Sequence, residues 1–422
     1  MSRRDSGRRV PARWYRVSTD AAGSVTVDLV DGSLGSVAVI DGQLSGPNVA
    51  VSTRAVLIES DDHGFLRGQP APPLELRDGT LCFDPSKGGI RTRENRRALG
   101  AFNAIVAEAN RFGMVNAYMH TERAMTVANQ LIGEAGGTTL PPVGVVVGAH
   151  FGSRLPGFAE GDGDRRSGEL RPLSGGHYRL STRTTGVPEL LPVEPTGEIH
   201  LGCSRYRKPY AGYESYLRNA AHNPAIIYHE VGHHLCRHTA DFRLNAERSP
   251  DEQRNGKIGI EEGICDYFAA ALLGSGRPYG WYRADRGTRR DPDLSRHLSD
   301  VATHHDAHGE GAVWAATWWR ARSQLVASEL LASPGDHDRC LVQALLHIGT
   351  IAGPGDRSRR RRERRRSRRT TMIRAYVDAV RDAGGRNAAA MAEQVLEQAG
   401  LLNAPSEPSV PASPKSTEVS AC

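Results

Sequence analysis

Residues 221–239, AHNPAIIYHEVGHHLCRHT, carry two histidines four positions apart with a glutamate directly after the first. On a helix, positions i and i+4 project from one face. His229 and His233 can therefore turn two imidazoles toward one zinc ion, with Glu230 beside them as general base for an activated water. The bland alternative is a His-rich surface helix, since 229, 233, 234 and 238 are all histidine. The apolar flanks Ile226, Ile227 and Leu235 favour a helix that is buried along one side.

A third ligand decides the subclass. A metzincin site needs Gly at 236 and His at 239 in this register, and the chain has Cys236 and Thr239, which excludes that class. Downstream lies GIEEGICDYFAAALLG, residues 259–274, with Glu262 and Asp266 again four apart. Such a centre needs one carboxylate on the zinc and a second to hold a ligating histidine by its other ring nitrogen. Glu262 suits the first role and Asp266 the second.

These side chains need elements to position them. Asn223 is a suitable N-cap and Pro224 suits the first helical position, so a helix is predicted to start there. The second helix is predicted to end at Gly274. From 95 to 133 the apolar period is helical, with Gly133 as its C-cap. VGVVV (143–147) reads as a buried strand, and HYRL and EIHL as two more. Between 24 and 83, short β-branched runs are punctuated by Asp31-Gly32, Asp41-Gly42 and Asp78-Gly79, the usual signal of hairpin turns. The predicted organisation is a disordered N-terminus (1–23), a β-rich region (24–94), a catalytic N-lobe ending in the zinc helix (95–240), a helical C-lobe (241–402) and a disordered Pro/Ser-rich tail (403–422).

With HExxH followed by E-G-x-x-D, the chain resembles the gluzincin metallopeptidases, in particular their thermolysin-like and fungalysin-like branch. DAHGEGAVWAATWWRAR (306–322) is similar to that branch's D-x-H-x-x-G-x-x-W-x-x-x-L-W stretch, with Trp318 where Leu is usual. VNAYMHTERAMTVANQLIG (115–133) is similar to the helix beneath the catalytic sheet, and the likeness spans about 100–400. The resemblance implies an α+β, two-lobed fold: a mixed sheet with helices, then a helical lobe, with zinc between them. It implies His229, His233 and Glu262 as zinc ligands, Glu230 as base and Asp266 as the residue holding a ligand. It also implies Asp306 as a supporting acid and His308 as hydrogen-bond donor to the oxyanion. Gly311 and Trp314 favour this register over His304 or His305. No calcium site is legible.

The implied activity is a zinc-dependent metalloendopeptidase. An aminopeptidase of the same chemistry would need carboxylates to hold a free N-terminus, and no GxMEN-like segment is present. A non-catalytic binding protein on this fold would have no chemical need for Glu230. Cys236 and Cys265 each follow a proposed ligand by three residues, and they read as buried small hydrophobes or as neighbours of the metal.

Composition bounds the rest. The 422 residues carry 54 Lys+Arg against 48 Asp+Glu, a net +6. Residues 357–369, RSRRRRERRRSRR, hold ten Arg and one Glu and so supply +9, leaving −3 elsewhere. A generally basic, nucleic-acid-coating protein is thereby excluded. The run Arg357–Arg369 reads as a solvated loop or frayed helix start; contact with nucleic acid or an anionic surface is the lesser reading. The six scattered cysteines form no disulfide framework. No apolar run is long enough to span a membrane, and the N-terminus lacks the apolar core of a signal peptide. Cytoplasmic residence is the resulting expectation, or secretion if the true N-terminus lies upstream. Peptide or protein is the expected substrate.

Overall fold

The computed structural model describes residues 9–53, 55–60, 66–85, 99–151, 171–172, 175–179, 197–202, 219–240, 259–279, 290–301, 307–351 and 357–402. Within them the chain is a mixed α/β protein with six helices and a mixed central sheet. Eleven strands are described: β1 (Val10–Thr19), β2 (Val25–Leu34), β3 (Ala38–Ile40), β4 (Gln43–Ser45), β5 (Val49–Thr53), β6 (Val56–Ser60), β7 (Leu66–Pro70), β8 (Val143–Phe151), β9 (Arg171–Pro172), β10 (Gly176–Arg179) and β11 (Glu198–Gly202). The helices are α1 (Leu99–Glu134), α2 (Pro224–His238), α3 (Gly259–Leu273), α4 (Ala307–Ala327), α5 (Pro334–Ile351) and α6 (Arg357–Gln398).

The main sheet runs β10-β11-β8-β5-β4-β3, with β9 on the end of β8. Its centre is parallel, because β8 pairs in that sense with both β11 and β5. Its flanks are antiparallel. Val49 and Val51, Val143, Val145 and Val147, and Ile199 and Leu201 point alternately into one core, the period-2 signature of a sheet face. α1 covers that face, burying Phe112, Val115, Met125 and Ile132. α2 lies beside it under β10 and β11. Among the described residues, no helix is long and apolar enough to cross a membrane.

Several boundaries differ from expectation. Residues 10–19, expected to be disordered, form β1 because Ala12 and Tyr15 are buried in the core. Asp31-Gly32 is no hairpin turn but lies inside β2. Asp31 pairs with Arg13 across the ribbon at 2.6 Å, and a Cβ at Gly32 would lie 2.3 Å from the Trp14 ring. The turn sits instead at residues 20–24, where the Asp20 carboxylate accepts from the Ala22 and Ser24 amides. Asp41-Gly42 and Asp78-Gly79 are tight turns as expected, all four residues with positive φ.

The boundary at 94 does not separate two regions, since β3–β5 are strands of the main sheet. The C-cap of α1 is Gly136 (φ 78), not Gly133: the Gly137 amide reaches back to the Ile132 carbonyl, closing a Schellman turn. The arginine run is helical backbone, the first turns of α6, which kinks at Gly385. Arginine is a good helix former, and the buried Met372, Ile373 and Tyr376 that follow supply the packing that anchors the helix. The tail 403–422 lies outside the described residues.

Candidate metal centre

Asn223 stands outside α2 (φ −108, ψ 104), and its side-chain oxygen accepts from the amides of Ala225 and Ile226, with Pro224 in the first turn. This cap fixes where the helix begins and therefore which way each later residue faces. Ile227, Tyr228, Val231 and Leu235 go to the core. His229, Gly232, His233 and Cys236 form the stripe that meets α3. The helices cross closely at Gly232, where a Cβ would lie 2.8 Å from the Cys265 Cα.

From α3, Glu261, Glu262, Cys265 and Asp266 face this stripe, and all four are buried. His229 donates from Nδ1 to Asp266 at 2.8 Å, and His233 from Nδ1 to Glu261 at 2.7 Å. Both Nε2 atoms are thereby turned to one point. Glu262 carboxylate oxygens lie 3.4 Å and 3.8 Å from them. Ligand atoms of His229, His233 and Cys265 also lie within 4.8 Å of one another, so this buried group could hold a metal ion.

Glu230 is 4 % exposed, and its Oε2 has no hydrogen-bond partner among the described residues. Its carboxylate sits against β10, where a Cβ at Gly176 would be 2.5 Å from Oε1. His308, in the first turn of α4, brings Nε2 to 3.5 Å from Glu262 and is about one-third exposed. Its placement follows from the α3–α4 crossing: a Cβ at Gly263 would meet Trp314, and one at Gly311 would meet Glu262. Trp314 and Trp318 are fully buried core, stacked with centroids 5.3 Å apart.

Charge makes the same point as geometry. Glu230, Glu261, Glu262 and Asp266 are all at most 4 % exposed, and Arg290 lies beside Glu262 and Asp266. Buried carboxylates need compensating positive charge, and two imidazole nitrogens with carboxylate oxygens are ligands suited to zinc. Arg290 clasps Asp266 through Nε (2.9 Å) and Nη2 (2.6 Å), and the Tyr279 hydroxyl donates to the same carboxylate at 2.7 Å. Burial pushes the Asp266 carboxyl up, but the Arg290 charge and the His229 hydrogen bond outweigh it and hold the pKa at about 2. Burial likewise lowers His229, yet its bonds to Asp266 and Glu262 raise it to about 9. The Cys265 thiol is pushed well above its ordinary value by burial, by its hydrogen bond with Cys236 and by the nearby acids.

The structure thus brings together His229, Glu230, His233, Glu262, Asp266 and His308. Asp306 lies outside the described residues, as do His304, His305 and the tyrosines at 206, 210, 213 and 216. Glu261, Tyr279 and Arg290 escaped sequence reasoning. Glu261 had a signal, because a second ligating histidine needs its own Nδ1 acceptor and the Glu-Glu doublet offers one. Tyr279 and Arg290 carry no spacing signal. No protein-family model matches the chain, and no curated protein matches it.

Proposed function

We propose that the chain is a zinc-dependent metalloendopeptidase of gluzincin type, with the sheet side and the helical side as two lobes about the centre. The observation that carries the reading is the convergence of both His Nε2 atoms on Glu262, with the unpartnered Glu230 oxygen beside them. His229, His233 and Glu262 would hold the ion. Zinc, when bound there, supplies Lewis acidity to a water molecule and to the scissile carbonyl.

The remaining work falls to side chains. Glu230 takes the proton of the attacking water and delivers it to the leaving amine. His308 donates from Nε2 to the oxygen that becomes negative, an interaction that strengthens in the transition state. Asp266 and Glu261 fix ring orientation and raise the basicity of the ligating nitrogens. β10, at the end of the described strand order, runs beside Glu230, and an extended peptide would lie along it. A peptide bound that way presents an internal bond to the centre.

A quenched fluorescent peptide with both ends blocked tests the reading. Cleavage should need zinc, stop with a chelator and return on zinc addition. Glu230→Gln should lower kcat by about 10²–10⁴-fold while retaining zinc. Full activity in Glu230→Gln would refute the mechanism, and cleavage confined to peptides with a free amino terminus would mark an aminopeptidase.

A further inference from the structure

The His pair faces two buried donors on α3, not one. Glu262 is one turn ahead of Cys265, at the i, i+3 spacing that puts both on the same helix face. The Cys265 side chain is fully buried, and its sulfur lies within 4.8 Å of ligand atoms of both His229 and His233. In a tetrahedral site, nitrogen and sulfur ligands end up about 3.6 Å apart, given metal–ligand bonds of about 2.1 and 2.3 Å. Its separations from the imidazole ligand atoms thus exceed that value by no more than about 1.2 Å, within the reach of side-chain rotations. Gly232 makes this approach feasible: even its missing Cβ would come 3.2 Å from the Cys265 sulfur. Cys236, one turn on along α2, is also buried and hydrogen-bonds Cys265.

We propose that Cys265 is a fourth protein ligand of the metal, sharing with water the position left by His229, His233 and Glu262. This rests on the metal-centre reading above and goes beyond it in ligand set and metal preference. On coordination, the S–H bond breaks, the sulfur–metal bond forms and the proton leaves to solvent. Cys236 accepts or donates to the sulfur when it is off the metal. Two imidazoles, a carboxylate and a thiolate select a thiophilic divalent cation such as zinc or cadmium over magnesium or calcium. A site closed by four protein ligands has no open position for water, so Cys265 and the attacking water exclude one another.

The test is spectroscopic and uses the full chain. Cobalt(II) is titrated into wild type, Cys265→Ser and Cys236→Ser. The expected result is visible ligand-field absorption in all three, with a near-ultraviolet thiolate-to-cobalt charge-transfer band in wild type and Cys236→Ser that is lost in Cys265→Ser. Ligand-field absorption in wild type without the charge-transfer band would overturn the proposal and leave the metal centre standing. A band that survives in Cys265→Ser would also overturn it. Absence of any cobalt spectrum would defeat the metal-centre reading itself. X-ray absorption at the zinc edge of the wild type needs no variant: a sulfur neighbour at about 2.3 Å supports the assignment, and a shell of nitrogen and oxygen alone contradicts it.

Discussion

Glu261 has an unusual task for a buried carboxylate. It accepts the Nδ1 proton of His233. Glu261→Gln keeps the volume and removes the charge that makes the imidazole basic. Zinc affinity should fall about 10–100-fold, measured by competition with a chromophoric chelator, with the far-ultraviolet circular dichroism unchanged. Gly176 presents the opposite case, a residue whose value is empty space. In Gly176→Ala, the new methyl group would occupy the place of the Glu230 carboxylate. Zinc content should stay at the wild-type level while kcat falls about 10²-fold, since displacing a catalytic group by an ångström has that order of cost. Equal losses of zinc and activity would show that Gly176 matters for folding instead.

At the scale of elements, what could be read from the chain depended on how local the cause was. α2 was legible to the residue because Asn223 and Pro224 declare its start, and α3 because Gly274 (φ 69) declares its end. β8 and β11 were legible as apolar or alternating runs. β1 was not, because its polar beginning hides Ala12 and Tyr15, whose burial comes from α1 far along the chain. Asp31-Gly32 misled for a similar reason: Trp14 and Arg13 on the neighbouring strand override the local turn preference. Arg290 was invisible because only the folded chain brings it back to Asp266. His308 depends on an element pair too. Gly311→Ala would set a Cβ 2.8 Å from that of Glu262 and 3.0 Å from the Gly263 nitrogen, in the tight α3–α4 crossing. Overpacking of this kind costs about 1–3 kcal/mol, so the melting temperature should drop by several degrees and zinc affinity should drop with it. An unchanged melt would mean that the crossing is looser than described.

Three buried histidines link distant segments of the molecule and are held neutral. His120 donates to the Tyr15 carbonyl (2.8 Å) and accepts from the Tyr228 hydroxyl (2.7 Å). His234 donates to the Pro141 carbonyl (2.9 Å) and accepts from Tyr178 (3.0 Å), and His222 donates to the Ala109 carbonyl (2.8 Å). Burial, the dominant cause, depresses these pKa values to about 3 for His120, about 3 for His234 and about 4 for His222. In the unfolded chain they titrate near 6.5, so between about 6.5 and these values the unfolded state binds more protons. Stability is then complete above about pH 6.5 and is lost as pH falls through that window. At pH 5, each histidine costs about 2 kcal/mol, and the three together about 6 kcal/mol, comparable with the whole stability of many domains. Denaturant midpoints should decline steadily from pH 6.5 to 5. A flat profile over that range would show that these imidazoles are not held neutral.

The two-stranded ribbon at the start of the chain has a consequence for how the protein is made. Its Thr19 hydroxyl donates to the Leu273 carbonyl at the end of α3, and the Ser275 hydroxyl donates to the Gly23 carbonyl in its turn. The Tyr15 amide is bound by Asn116, which in turn grips the Ala221 carbonyl just ahead of α2. On the ribosome, the ribbon can pair within itself early, but its bonds to Leu273 and Ser275 must wait until α3 has been made. The ribbon works as a latch closed in stages, and a chain stalled before residue 273 lacks both partners of its last two bonds.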